Sequence, residues 1–379
     1  MPTVDGSTVA FVPDPIPTRL TLEARTIVQL SKADYAVGAL SGLTAAVGES
    51  VNPFLVGTPL LHREAILSSR IEGTHTTPEE LVLFEADPDQ TAATSAESET
   101  REVANYVRAM RFAVKRTQQI PLSLRLIREV HERLLDGVRG NRDRPGEFRK
   151  SQNWIGAPTE PIQQARFVPP PVLEMEACLH SFEKSLHAPG EELPPLVHLA
   201  LAHYQFEAIH PFRDGNGRMG RLLLPLVLCA QEQLEEPHLY LSAYFERHRQ
   251  QYYDLMLAVS QRGEWDGWVR FFLRGVEESA RESRQKAQGL LSLRHDYHQK
   301  LHSARSSALL LKLTDRLFLK PSITMGQASE FLEISPAAAS ANIRKLVDAG
   351  ILRKVEGRSR PQRFIADGIL KFIEDSGAS

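Results

Sequence analysis

Apolar residues recur at three- and four-residue spacing along most of the chain, the period of helices with one buried face. Residues 60–72 carry Leu60, Leu61, Ile66, Leu67 and Ile71 at that spacing, and Gly73 suits a helix stop. Residues 193–208 repeat the pattern, and residues 217–231 are apolar enough for a buried helix. Residues 265–305 stay periodic but become highly charged, which predicts one or two long helices leading out of the core. Residues 86–98 are polar, acidic and aperiodic and read as an exposed loop, with helices resuming at Glu99. Residues 146–155 and 166–171 alone in the core read as extended, with aromatic and β-branched side chains around a Gly/Pro-rich turn. Further on, residues 324–333 predict a helix, and Ser335 with Pro336 predicts the N-cap and first position of another that stops at Gly350. Residues 351–355 and 363–365 are strand-like. The fold class is therefore mainly α: a helical core with a small β-hairpin, then a helix-turn-helix with a two-strand wing.

Composition narrows the function classes. Hydrophobic residues make up 42% and charged residues 24%, ordinary for a globular protein. The net charge of −2 argues against general attraction of the whole molecule to nucleic acid or membrane. Cys178 and Cys229 form no metal or redox spacing, which makes a reducing cytoplasm the expected location. The first residues have neither the basic start nor the apolar run of a signal peptide, and no apolar run reaches membrane-spanning length. The length of 379 residues suits two or three domains. The expected divisions are 1–98, 99–285 and 286–379.

The densest chemistry lies between the two most apolar helices, in His210-Pro211-Phe212-Arg213-Asp214-Gly215-Asn216-Gly217-Arg218-Met219-Gly220-Arg221. Pro211 biases His210 out of the α region and ends the first helix. Gly215 and Gly217 permit positive φ and close backbone approach, so that N–H groups opening the second helix can face an anion. Arg218 and Arg221, three residues apart, share a face and can reach phosphate oxygens. Asp214 is placed to hold Mg²⁺ by one carboxylate while phosphates supply other oxygens. His210 has the intrinsic pKa to take a proton from a hydroxyl near neutral pH. Together these parts suit a nucleoside triphosphate attacked at phosphorus. A metal site from His203, Glu207 and His210 is the competing arrangement, but it lacks the helical His-Glu-x-x-His pattern of zinc proteases.

The run resembles the Fic family signature, His-x-Phe-x-Asp/Glu-Gly-Asn-Gly-Arg-x-x-Arg, with every specified position met. The resemblance implies a helical core that transfers AMP from ATP to a Ser, Thr or Tyr hydroxyl of a protein, self-modification included. It casts His210 as general base, Asp214 as Mg²⁺ ligand and Phe212 as buried anchor. Residues Gly215, Asn216, Gly217, Arg218, Met219, Gly220 and Arg221 would form the ATP and phosphate site. A kinase branch typically has Lys where Gly217 stands, so Gly217 favours nucleotidyl transfer. Upstream, Ser68, Glu72 and Gly73 resemble the family's inhibitory pattern, Ser/Thr-x-x-x-Glu-Gly/Asn. There the Glu72 carboxylate would pair with Arg221 and take the place of the γ-phosphate. Gln152, Asn153, Trp154 and Ile155 resemble the family's flap, a β-hairpin whose edge holds the target segment by strand addition. The resemblance places Tyr252 and Tyr253 near adenine or ribose, and it is in keeping with a homodimer.

The C-terminal pattern resembles a winged helix-turn-helix domain. Residues 342–365 hold seven Lys or Arg against two Asp or Glu, an excess that a phosphate backbone would attract. The presumed recognition helix opens with Ala337, Ala338, Ala339 and Ser340, which offer few hydrogen bonds to base edges. Two classes follow: an autoinhibited protein adenylyltransferase, and a nucleotide-sensing, DNA-binding regulator whose Fic-like core turns over slowly.

Overall fold

The computed structural model describes all residues except 2–5, 7, 51, 88–94, 139–143, 157–159, 188–192, 303–307, 357–360 and 375–379. Its helices are α1 (Ala24–Ser50), α2 (Phe54–Ile71), α3 (Pro78–Ala86), α4 (Ser95–Thr117), α5 (Leu124–Leu134), α6 (Val172–His187), α7 (Pro195–Ile209), α8 (Asn216–Ala230), α9 (Ser242–Arg247), α10 (Arg249–Arg262) and α11 (Trp265–His302). Then follow α12 (Ala308–Leu319), β1 (Ser322–Thr324), α13 (Met325–Leu332), α14 (Pro336–Asp348), β2 (Arg353–Lys354), β3 (Arg363–Ile365) and α15 (Asp367–Ile373).

Helices α7 and α8 are buried on nearly every side. A helix that is apolar all round belongs in a core, and these two pack on each other at its centre. Helix α2 is almost as enclosed, packed against α4, α9, α12 and α15. The predicted helix at residues 60–72 thus begins earlier, at Phe54, and still ends beside Gly73, whose φ is +88°.

The charged stretch forms one continuous 38-residue helix, α11, with Trp268, Phe272 and Val276 in the core and Leu290, Tyr297 and Leu301 buried beyond it. The expected division at 285/286 therefore falls inside a helix. The stretch read as loop, 86–98, is entered by helices at both ends, α3 reaching Ala86 and α4 beginning at Ser95; residues 88–94 lie outside the described residues.

In the C-terminal part, Ser335 accepts from the Ala338 N–H, Pro336 opens α14, and Gly350 follows its end at φ +68°. Thr324 and Gln327 form a capping box at the start of α13. The two expected strands gain a third, β1, in an antiparallel sheet of order β1-β3-β2, with Ser322 opposite Ile365 and Arg353 opposite Ile365 on the other side.

Candidate active site

His210 closes α7 in the left-handed region, at φ 48° and ψ 60°. A non-glycine residue there costs about 1–3 kcal/mol, so the surroundings must enforce it. Arg149 donates Nε to the His210 carbonyl at 3.0 Å and Nη2 to the Pro170 carbonyl at 2.5 Å. Its backbone N–H bonds the Pro211 carbonyl at 2.9 Å. Asn153 Nδ2 spans the His210 and Phe212 carbonyls at 3.3 and 2.9 Å. Burial lowers the Arg149 pKa to about 10.

Inside the turn, Asn216 Oδ1 accepts from the Phe212 N–H at 2.8 Å and its Nδ2 donates to the Phe212 carbonyl at 2.9 Å. The Asn216 side chain is therefore committed to the loop. Phe212 is fully buried and stacks on His131 with ring centroids 3.6 Å apart. His131 Nδ1 accepts from the Gly146 N–H at 3.0 Å, so the ring proton sits on Nε2, which donates to the Asp214 carbonyl at 2.9 Å. Gly215 takes φ +77°, as anticipated, but Gly217 is not among the positive-φ glycines. Its value lies in close approach: a Cβ at 217 would collide with the Glu72 carboxylate and meet Arg221 Nη1 at 3.0 Å.

Helix α8 leaves its first N–H groups, those of Asn216, Gly217 and Arg218, without carbonyl partners in the helix. The Met219 N–H is already bonded to the Gly215 carbonyl at 2.9 Å and its side chain is fully buried, so Met219 supplies neither donor nor side chain to an anion. Gly220 lies one residue deeper, where a Cβ would collide with Glu207.

The two arginines of α8 diverge. Arg218 Nη1 donates to Glu102 on α4 at 2.9 Å, and its Nη2 lies 3.7 Å from Asp214 Oδ1. Arg221 turns to α2, donating Nε to Ser68 Oγ at 2.9 Å and Nη2 to the Ser68 carbonyl at 2.9 Å and to Glu72 Oε1 at 2.6 Å. Burial works against the Glu72 charge, but Arg221 outweighs it and holds the carboxyl below its usual range.

Glu72 and Arg221 line a cavity of about 540 Å³, together with Glu207, His210, Gly217 and Tyr253 among others, whereas Asp214 and Arg218 are not in its wall. That volume lies within the ~300–1,000 Å³ typical of small-molecule sites. His210 Nδ1 faces the Glu207 carbonyl at 3.3 Å, and a carbonyl only accepts, so Nδ1 carries the proton and Nε2 the lone pair. Nε2 makes no hydrogen bond among the described residues. Burial lowers the His210 pKa to about 4, keeping the ring neutral at pH 7. Glu207 is pushed up to about 7, first by burial, with Arg221 opposing and Glu72 adding to the rise. Its Oε1 has no hydrogen-bond partner among the described residues. His203 turns away from any shared metal position: its Nε2 meets the Tyr252 hydroxyl at 2.8 Å within an aromatic cluster.

The remaining expected residues divide. Tyr252 is a core residue at the cavity wall, whereas Tyr253 is only partly buried, with Arg166 and Arg249 guanidinium carbons 5.8 and 6.0 Å from its ring centre. Among the described residues the extended region forms one antiparallel bridge, Ile155 with Phe167; residues 157–159 lie outside them. Pro169, Pro170 and Pro171 have no N–H to continue a ladder. Gln152 Nε2 bonds the Pro169 carbonyl at 2.9 Å and Asn153 bonds the His210–Phe212 turn, while Trp154 is 40% exposed and Ile155 lines the cavity. Asp214 is half-buried, with Oδ1 accepting from the Gly215 N–H at 2.6 Å. Asp214 offers one carboxylate, and Mg²⁺ commonly takes one or two protein carboxylates and completes its shell with phosphate and water; no group of three or more potential ligands occurs among the described residues.

Sequence reading missed His131, Glu102 and the role of Arg149. The partners of the first two lie 83 and 116 residues away, so no local spacing marks them.

Residues 121–228 match the family model described as Fic/DOC family, and residues 27–115 match that described as Fic/DOC family N-terminal. The chain is similar to the protein adenylyltransferase Fic of Aedes aegypti, 34% identical over 162 residues covering 42% of this chain and 28% of that protein. It is also similar to the protein of that name from Drosophila melanogaster, 30% identical over 166 residues covering 43% and 30%. The similarity thus spans about three-tenths of those relatives' length. In fold it resembles a Fic family protein from Desulfovibrio desulfuricans G20, with a TM-score of 0.58 over 93% of this chain and 98% of that one at 19% identity. Residues 134–508 of C. elegans Fic-1 align with a TM-score of 0.50 over 70% of this chain and 74% of that one at 21% identity.

Proposed function

The chain belongs to the Fic/DOC family, and on that premise we propose that it is a protein adenylyltransferase moving AMP from ATP to a Ser, Thr or Tyr hydroxyl. The observation that carries this reading is the His210 ring, neutral and facing the cavity with an unengaged Nε2 beside the opening turn of α8. In the proposed reaction the acceptor oxygen attacks the α-phosphorus while Nε2 takes the hydroxyl proton. The bond to the bridging oxygen of the β-phosphate breaks, and pyrophosphate leaves. The N–H groups of Asn216 and Gly217 and the Arg218 guanidinium hold the phosphates and receive developing charge. Mg²⁺ at Asp214 would neutralise phosphate charge. Tyr253 and Ile155 bound the space for the nucleoside and the incoming target.

Glu72 is the proposed brake. Its carboxylate lies against Gly217 and on Arg221, in the space proposed for the γ-phosphate. Transfer depends on in-line alignment, so a triphosphate displaced by Glu72 would present its α-phosphorus poorly. Label from α-³²P-ATP should appear on protein, increase several-fold in Glu72→Gly and vanish in His210→Ala. Label arriving only from γ-³²P-ATP would reassign the site to phosphate transfer.

We further propose that α12–α15 and their sheet form a winged-helix interaction module. Of its basic residues, Arg353 is paired with Asp367 and Glu79, and Arg363 with Asp87. Arg358 and Arg360 lie outside the described residues. The exposed start of α14 is Pro336, Ala337 and Ala338, which suits a protein contact better than base readout.

A further inference from the structure

A second cavity, of about 230 Å³, opens where the end of α3, the middle of α4, the end of α12 and the start of β1 converge. Its wall includes Glu85, Arg108, Arg111, Arg316, Lys320 and Ser322. Four cations thus face one carboxylate, an imbalance absent from the chain as a whole. Arg111 Nη1 lies 3.5 Å from Glu85 Oε1, and Glu85 is also engaged by His62 of α2 at 2.9 Å. The one acid in the wall is therefore shared and does little to neutralise the remaining cations.

Two polar groups of the wall are left unmatched. Arg316 Nη1 and Ser322 Oγ are buried and have no hydrogen-bond partner among the described residues, and Ser322 is only 3% exposed. Buried donors without acceptors are costly and rare. The Arg316 guanidinium is held in place with its carbon 5.2 Å from the Phe331 ring centre. Fixed guanidinium forks, a flexible ammonium and a hydroxyl are the donor set that tetrahedral oxyanions select. The cavity is smaller than the ~300–1,000 Å³ of sites for drug-sized ligands, which suits one phosphate group with little attached.

We propose that this cavity is a binding site for a phosphate group, as the free ion or a small monoester, separate from the α8 site. Arg111, Arg316 and Lys320 would supply the charge and Ser322 a hydroxyl donor. An occupant that competes with Glu85 for Arg111 touches the same carboxylate whose Oε2 lies 2.9 Å from His62 Nε2 on α2. The site therefore lies one contact from the helix that carries Ser68.

Calorimetric titration of the full chain with inorganic phosphate, in chloride buffer at constant ionic strength, should give saturable binding to a single site. Arg316→Gln combined with Lys320→Gln should weaken it about tenfold or more, with an unchanged circular dichroism spectrum. If that pair does not fold, exposed Lys320→Gln alone should weaken it about threefold. A parallel titration with glycerol 3-phosphate orders the two forms, and tighter binding of either supports the site. Absence of saturable binding by the native chain, or equal affinity in folded variants, overturns the proposal; in the latter case the ion is held elsewhere, for example at α8.

Discussion

At the scale of single residues, His210 combines an unfavourable backbone with a protonation state set by burial. The ring is neutral far below pH 7, with its pKa lowered to about 4. In the proposed reaction the active form is the neutral one, so the acid limb of transfer should fall well below the usual histidine range. Activity measured from pH 4 to 8 should hold nearly constant down to about pH 5 before dropping. A half-maximal point at 6.5, the unperturbed value, would show that His210 is not buried as described or is not the base. Glu207 provides a contrast on the same cavity wall, since burial drives its carboxyl up to about 7. Both shifts come from one desolvated pocket acting on groups of opposite charge type.

At the scale of elements, the turn from α7 to α8 is shaped from outside itself. From a segment 61 residues upstream of His210, the Arg149 guanidinium bonds the carbonyls of Ser151, Pro170, Ile209 and His210. Arg149→Lys keeps the charge but loses the planar fork. It should lower the turnover of proposed adenylyl transfer about ten- to a hundredfold with little change in nucleotide affinity, because it displaces the base rather than the phosphate donors. A fall in ATP affinity at unchanged turnover would contradict that division of labour. The helices on either side were readable from apolar spacing, as was the Ser335-Pro336 start of α14, because such signals are local. The Arg149 clamp, the His131 stack and the Glu102 partner of Arg218 were not, since each joins residues distant in the chain. In the flap region, β-branched and aromatic residues gave the strand signal, and among the described residues Pro169, Pro170 and Pro171 stop the ladder on one side of the Ile155–Phe167 bridge. Of the two freedoms expected of Gly217, positive φ and close approach, only the second is used, against the Glu72 carboxylate.

At the scale of the whole molecule, buried ionisable groups set an acid limit on the fold. Burial lowers His131, His198, His210 and His238 to about 4 and His203 to about 3, all from 6.5. As pH falls below 6.5 the unfolded chain takes up protons that these folded histidines refuse, so stability is lost down to about pH 4. Glu64 and Glu207 act oppositely, because burial raises both to about 7 and the folded state binds their protons before the unfolded state does. Burial also raises Asp34 and Glu236, which lean the same way as the two glutamates. Five imidazoles still outnumber four carboxyls, and each proton of difference is worth about 1.4 kcal/mol per pH unit. The histidines win. Scanning calorimetry should therefore show the melting temperature falling steeply between pH 6.5 and 4.5. Glu207→Gln, which removes one of the opposing carboxyls, should make that fall steeper. A melting temperature that stays level or rises over the interval would mean that these imidazoles reach solvent, and His210 would lose the neutral ring on which the proposed chemistry depends.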